Sequence, residues 1–320
     1  MSDKPRFEAP TKFADGLGFD LGRVLKSVVS IQASIPSDAY TAQTLGEQRT
    51  GSGVVIREDG LVLTIGYLIT EAEMVWMESA DGHVVPAHAL AFDQESGFGL
   101  VQALDRFDCP ALEFGRSQDA RVGDPVVVAA GGGTKTVHAS VVGKKEFAGY
   151  WEYLLDEALF TTPAHPFWGG AGAIGSEGRL IGIGSLHVEQ LMTTGPRDIN
   201  MIVPIDLLPP ILEDLLTYGR VNKPVRPWLG IYSAESDGNV IVAAVAERGP
   251  AQIAGLRRGD VLMNVRGKNI TDLADFYRKV WNCGDAGVEV PIEVIRDGRI
   301  LGVKIKSADR AGFLRRPRLQ

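Results

Sequence analysis

The chain has 320 residues, 45% hydrophobic and 23% charged, with a formal net charge of −7, a length that allows about two domains of ordinary globular composition. Net acidity without a basic, aromatic-interleaved stripe argues against nucleic acid, and no stretch approaches the roughly 18 uninterrupted apolar residues of a membrane span. Cys109 and Cys283 stand far apart without paired Cys or His spacing, so they form neither a disulfide framework nor a zinc site and read as two core thiols in a reducing compartment.

Residues 1–26 are a polar N-terminal extension with phenylalanines at Phe7, Phe13 and Phe19. From Ser27 the pattern becomes short β-rich runs punctuated by turns: 27–35, 52–58, 60–66, 74–79, 83–92, 98–104, 124–130, 137–143, 158–163, 171–175, 179–188 and 198–205. Turn dipeptides such as Asp59-Gly60 and Asp81-Gly82 separate neighbouring runs, and no helix of length intervenes. Such a series predicts an antiparallel barrel or sandwich, and closure into barrels would remove exposed edges. The 38 glycines, about 12% of the chain against an expected roughly 7%, suit so many turns. GGGTKT at 131–136 lacks the spacing of a phosphate loop and leads into a strand, so it reads as a flexible turn.

A helix is predicted over 208–219, with proline near its start and Gly219 ending it. Residues 220–227, basic with two prolines, form a linker. The pattern then changes to an α+β module. A strand at 239–247, a short helix within 249–260, a strand at 261–267 and a helix at 271–282 with Thr271 as N-cap precede a hairpin around Asp297-Gly298. Residues 307–320 end in Arg315, Arg316 and Arg318, a basic tail expected to be solvated and frayed.

This order of elements, with several local motifs, resembles the HtrA/Deg family of serine endopeptidases. GSGVVIREDGLVLT (51–64), ARVGDPVVVAAG (120–131) and GRLIGIGS (178–185) are similar to segments of its trypsin-like domain. RPWLGI (226–231), GPAQIAGLRRGDVL (249–262) and VIRDG (294–298) are similar to segments of its PDZ domain. The resemblance implies a mainly β fold: a chymotrypsin/trypsin-like double antiparallel β-barrel over 27–219, the linker 220–227, and an α+β PDZ domain over 228–306.

A serine peptidase needs a hydroxyl nucleophile, an imidazole base, a carboxylate to orient it, and N–H donors for the oxyanion. Matched to the family's motifs, LTIGYLIT puts Tyr67 where the histidine is expected, SGFGLVQAL puts Gly97 at the aspartate, and HPFWGGAGA puts Gly169 at the serine. Phe167 stands where a glycine N–H helps form the oxyanion hole, and Trp168 adds bulk beside it. A phenol with a pKa near 10 stays protonated at neutral pH and cannot act as the base. The expectation is therefore a degenerate member, a pseudoprotease with none of the triad intact.

The alternative is an active serine-type endopeptidase with a non-standard site. It would have to draw on five histidines, of which His165 lies on the loop of interest and His187 near it, and on hydroxyls such as Ser52, Ser96 and Ser185. His83, His88 and His138 read as ordinary strand polar residues. A cleft rebuilt by Tyr67, Phe167 and Trp168 could also hold a ligand.

For the PDZ-like module the resemblance implies capture of a peptide or protein C-terminus by strand addition, with the terminal carboxylate in backbone N–H groups. Trp228, Leu229, Gly230 and Ile231 match that loop. Phe276, Tyr277 and Val280 share a helix face that either lines the side-chain pocket or packs inward. No metal or cofactor is implied. Family members trimerise through N-terminal aromatics, so the early phenylalanines are candidates for a homotrimer or for assembly with an active relative. The first residues carry no apolar signal-peptide core, which points to the cytoplasm, or to the periplasm if Met1 is not the true start.

Overall fold

The protein, a computed structural model, is described over residues 18–192 and 195–315. It forms two compact units. Among the described residues the first holds 18–145, 157–222 and Arg315, and the second holds 146–156 and 223–314.

The first unit opens with a short helix, α1 (Leu21–Leu25), whose first turn is capped by the Asp20 carboxylate accepting the Arg23 N–H at 3.1 Å. Next come β1 (Val28–Ser34), α2 (Ala42–Leu45), β2 (Gln48–Arg57), β3 (Leu61–Ile65), α3 (Gly66–Ile69), β4 (Met74–Glu78), β5 (Val84–Phe92) and β6 (Phe98–Ala103). Their strands close into a barrel in the order β1-β2-β3-β6-β5-β4. Val28, Val54, Leu61, Leu63, Phe98 and Leu100 are fully buried in it, as expected where β-branched and large apolar residues line a closed sheet. A second barrel follows from β7 (Pro125–Ala130), β8 (Lys135–Gly149), β9 (Tyr153–Thr162), β10 (Gly172–Ile174), β11 (Leu180–Met192) and β12 (Gly195–Pro204). It closes in the order β10-β11-β12-β9-β8-β7 around Val126, Val128, Val141, Leu159 and Ile202. Helix α4 (Pro209–Tyr218) ends at Gly219, in the left-handed region at φ +67.

The second unit is a sheet of β13 (Ile231–Ser236), β14 (Asn239–Val245), β15 (Val261–Val265), β16 (Lys268–Asn269), β17 (Glu289–Arg296) and β18 (Arg299–Lys306), with α5 (Pro250–Ile253) and α6 (Leu273–Trp281). The order is β13-β14-β15-β17-β18, with β16 pairing β15. The turns Asp237-Gly238 and Asp297-Gly298 have positive φ at both residues, the conformation that two-residue hairpins prefer. No helix among the described residues is long and apolar enough to cross a membrane.

Several details differ from the sequence expectation. Asp272 caps α6, accepting the Asp275 N–H at 2.7 Å, while the Thr271 N–H turns to the Asp275 carboxylate at 2.9 Å; the charged acceptor takes the capping position. Strands β8 and β9 run much further than 137–143 and 158–163, and their hairpin tip belongs to the second unit. Within the described part of the tail, Asp309 caps a 3-10 turn at Arg310–Phe313, and Phe313 meets the Trp228 ring edge-on at 4.8 Å. Phe19 packs against Gly178, whereas Phe7, Phe13, Arg316 and Arg318 lie outside the described residues. Cys109 and Cys283 are buried free thiols, and burial pushes the Cys109 thiol up to about 11.

The two barrels meet where Gly170, at φ +76, approaches β2 so closely that a β-carbon there would stand 1.8 Å from the Ser52 carbonyl oxygen. Gly170→Ala should therefore combine backbone strain with an unrelievable clash and cost about 3 kcal/mol. Gly82→Ala has a similar φ of +83 but open space, and should cost about 1 kcal/mol. Urea titration of both variants checks the difference; equal costs would show that the seam is not tight.

Candidate functional site

The residues matched to the catalytic positions gather at the seam between the barrels. The Ser52 N–H donates to the Gly169 carbonyl at 2.9 Å, and the Ser52 Oγ accepts the Gly131 N–H at 3.0 Å. The Thr64 hydroxyl donates to the Ser52 carbonyl at 2.6 Å. These bonds pin the loop 165–171 against β2, and the Gly170 N–H closes it onto β11 through the Gly184 carbonyl at 2.8 Å.

Tyr67 rides on α3, a single turn that cannot hold its own end. A buried arginine does so. Arg49 Nη1 donates to the carbonyls of Tyr67 at 2.7 Å and Thr70 at 3.1 Å, and Nη2 donates to Thr41 Oγ1 at 2.8 Å. The Thr41 hydroxyl donates to the Glu71 carboxylate at 2.6 Å, which also accepts the Tyr40, Thr41 and Arg315 N–H groups. Burial pulls the Arg49 guanidinium down to about 10, against the opposing charge of Glu71.

So held, the Tyr67 hydroxyl donates to the Ser185 carbonyl at 2.9 Å. A β-carbon at Gly169 would lie 2.8 Å from that hydroxyl oxygen, so the phenol fills the space a side chain at 169 would need. Burial pushes the phenol above the ordinary tyrosine range, with the Trp168 indole pulling the other way. Gly97 accepts the Gly66 N–H at 2.7 Å, immediately before Tyr67, and sits at φ +83, a conformation that disfavours any residue with a β-carbon. Tyr67 thus meets Gly169 through its hydroxyl, and Gly97 bonds the main chain just ahead of Tyr67.

The loop ahead of Gly169 is built on His165. Its Nδ1 accepts the Phe167 N–H at 3.0 Å and its Nε2 faces the Lys135 carbonyl at 3.3 Å, which selects the Nε2–H tautomer. Burial drops the imidazole to about 4, so it is neutral at pH 7. Phe167 is exposed beneath the Lys135 ammonium, 3.7 Å from the ring centroid, and Trp168 stacks on His187 at 5.3 Å. His187 in turn faces Asp198 at 3.4 Å. Ser96 Oγ accepts the Phe98 N–H, so this hydroxyl, like that of Ser52, serves the main chain.

In the second unit, the N–H groups of Leu229, Gly230 and Ile231 converge on a carboxylate, that of Glu152, at 3.1, 2.6 and 2.9 Å. Burial pushes this carboxyl up to about 7, against the pull of the three donors. Trp228 stands outside the cradle, its N–H on the Ala308 carbonyl at 3.0 Å. The helix face divides. Tyr277 sends its hydroxyl to the Gly149 carbonyl at 2.7 Å, while Phe276 and Val280 are 1% exposed within the core of the unit. Arg49, Glu71 and Glu152 escaped the sequence reading. Only Glu152 carries a visible signal, the aromatic crowding of FAGYWEY over 147–153, which is unusual for a solvated turn.

Comparison with known proteins agrees with the two-part fold. The trypsin-like peptidase domain family matches residues 51–183, and the PDZ domain family matches 227–306. The probable periplasmic serine endoprotease DegP-like of Pseudomonas fluorescens is 29% identical over 274 residues, 81% of this chain and 56% of that relative. A second protein so named, from Pseudomonas fulva, is 25% identical over 294 residues, 86% of this chain and 60% of its own length. The serine protease Do-like HtrA of Bacillus subtilis is 21% identical over 322 residues, 90% of this chain and 71% of that one. Among solved structures, the HtrA-type protease AlgW with tripeptide superposes with a TM-score of 0.54 at 20% identity, covering 94% of this chain and 99% of that one.

The chain carries an HtrA/DegP-type trypsin-like peptidase domain with a C-terminal PDZ domain. It spans little more than half the length of the two Pseudomonas DegP-like relatives. The expectation of a cytoplasmic location is corrected by the same relatives, which are named as periplasmic. An absent apolar core in the first residues is a local feature of this sequence and does not outweigh that finding.

The contact between positions 67 and 169 of this HtrA-type domain is testable by a double-mutant cycle. Gly169→Ser should destabilise by about 1–3 kcal/mol through crowding of the phenol, and Tyr67→Phe by about 1 kcal/mol through the lost hydrogen bond. The double variant should cost less than the sum by about 0.5 kcal/mol or more. Strict additivity in chemical denaturation would show that the two positions do not meet.

Proposed function

We propose that this protein is a non-catalytic HtrA-type protein, a pseudoprotease that captures peptides or protein C-termini through its PDZ domain and acts as a scaffold, a chaperone-like holder or a modulator of an active relative. The observation that carries the reading is Gly169: the position matched to the nucleophile has no side chain, and the Tyr67 phenol stands in the space such a side chain would use. Three further features support it. The base position holds a phenol that burial keeps protonated, a donor already committed to the Ser185 carbonyl. Gly97 offers no carboxylate. The Phe167 N–H, matched to an oxyanion donor, is turned toward the His165 ring, where it cannot meet a developing oxyanion.

Peptide capture is supported by the cradle of N–H groups at Leu229, Gly230 and Ile231, which already accommodates a carboxylate. A terminal carboxylate in such a cradle, with strand pairing beside it, is the recognition mode of peptide addition to a sheet edge. The substrates of a quality-control protease would be bound here without being cut. Following its named relatives, we assign the protein to the periplasm. Self-assembly as a homotrimer, or assembly with an active relative, would give such a binder several grooves.

A fluorophosphonate probe tests the reading, because it labels any serine activated as a nucleophile. The purified full chain should take up no more probe than after heat denaturation. Stoichiometric labelling of one serine, lost on denaturation, would establish an active endopeptidase with a non-standard site.

A further inference from the structure

The carboxylate cradle of the second unit is filled by the protein itself. Residues 149–152, the tip of the β8–β9 hairpin, lie between β13 and α6 in the manner of an added peptide. On the strand side, the Ser233 N–H donates to the Tyr150 carbonyl at 2.9 Å, a main-chain bond of the kind that strand addition uses. On the helix side, the Tyr277 hydroxyl donates to the Gly149 carbonyl and accepts the Glu152 N–H at 3.2 Å. At the end of the groove stand the three N–H groups around the Glu152 carboxylate.

The shoulders of the hairpin are fastened too. Arg278 of α6 pairs with both Glu146 and Asp156 at 2.5 Å, one on each side of the tip. Leu154 is buried in the same apolar cluster as Leu229, Ile231, Phe276 and Tyr277. Glu152 itself sits at φ +60, in the left-handed region where a turn ordinarily uses glycine or asparagine. Turn geometry alone gives no reason for a glutamate there, whereas its carboxylate satisfies three N–H donors that burial would otherwise leave unpaired.

We propose that the hairpin tip 149–152 is a built-in ligand that closes the PDZ groove in cis, the side-chain carboxylate of Glu152 standing where the α-carboxylate of a captured C-terminus would sit. The proposal rests on the reading of this groove as a binder of C-termini. Its consequence is competition. A peptide with a free terminal carboxylate must displace the tip, so its apparent affinity is reduced by the fraction of molecules in which the groove is open. Capture of a peptide releases the tip, and by linkage whatever draws the tip away favours capture.

The test uses the full chain and its Glu152→Gly variant, in which the turn conformation suits the new residue and the side chain is lost with its carboxylate; Glu152→Gln keeps the side-chain shape, removes only the charge and serves as the second variant. Hydrogen exchange reads the cradle directly. The amides of 229–231 should exchange at least tenfold faster in both variants while β15 and β17 keep their protection. Unchanged exchange at 229–231 in both variants overturns the proposal. Binding is then measured with a degenerate fluorescent decapeptide pool carrying free α-carboxylates, and with the same pool amidated. The variants should bind the free-acid pool at least tenfold more tightly than the unaltered chain and discriminate against the amidated pool. Measurable and equal binding of the free-acid pool by all three proteins overturns closure in cis. Faster exchange without binding of either pool keeps the tip as the internal occupant and removes capture of C-termini.

Discussion

The first unit is organised by one close approach of backbone to backbone, that of Ser52 on β2 to Gly169 and Gly170 on the loop ahead of β10. The Ser52 N–H is bonded to the Gly169 carbonyl, and its own carbonyl lies so near Gly170 that no side chain fits there. Gly51 is constrained for the same reason, since a β-carbon on it would stand 2.7 Å from the Gly169 carbonyl oxygen. This seam fixes the loop 165–171 against the first barrel and brings positions from both barrels, 67 and 169, into contact. In an HtrA-type domain that is where chemistry is assembled, because a nucleophile and its base must meet within about 3 Å. At these two positions the structure holds a buried phenol and a glycine.

What occupies the place is a set of satisfied polar contacts. Tyr67 donates a hydrogen bond to a carbonyl, His165 is a neutral ring holding the main chain of its own loop, and the Phe167 N–H is directed at that ring. Each contact settles a group that would be costly to bury alone. The network of Arg49, Thr41 and Glu71 extends this pattern, since it terminates the short helix that carries Tyr67. Removing one member would leave a buried charge without its partner, which is far more damaging than the net worth of the pair suggests.

Much of this architecture is legible in the sequence, because the strands alternate with turn residues whose φ requirements are local. Each β-rich run read between 27 and 205 falls on an observed strand, and Asp297-Gly298 makes the hairpin its residues specify. Motif spacing also singles out Tyr67 and Gly169, which the structure brings into contact. The failures share a physical cause. The cap of α6 depends on which of two adjacent acceptors, Thr271 or Asp272, reaches the free N–H, and propensity does not separate them. Glu152 finds its donors as many as 79 positions away and Glu71 one of its donors 244 positions away, so no local window of sequence contains both ends of these interactions. Phe276 and Val280 obey helix periodicity, which says that they share a face but not whether the face meets core or ligand.

The seam and the groove follow the same logic. In both, backbone donors that could serve a ligand or a reaction are engaged by the protein's own groups, Phe167 by His165 and residues 229–231 by Glu152. The central claim is that a peptidase fold persists here without peptidase chemistry. The most direct measurement is incubation of the purified full chain with unfolded β-casein at neutral pH, followed by mass spectrometry of newly formed peptide termini. The account predicts no termini beyond those in a protein-free control, at any concentration of the chain. New termini that rise in proportion to the amount of protein added would contradict it.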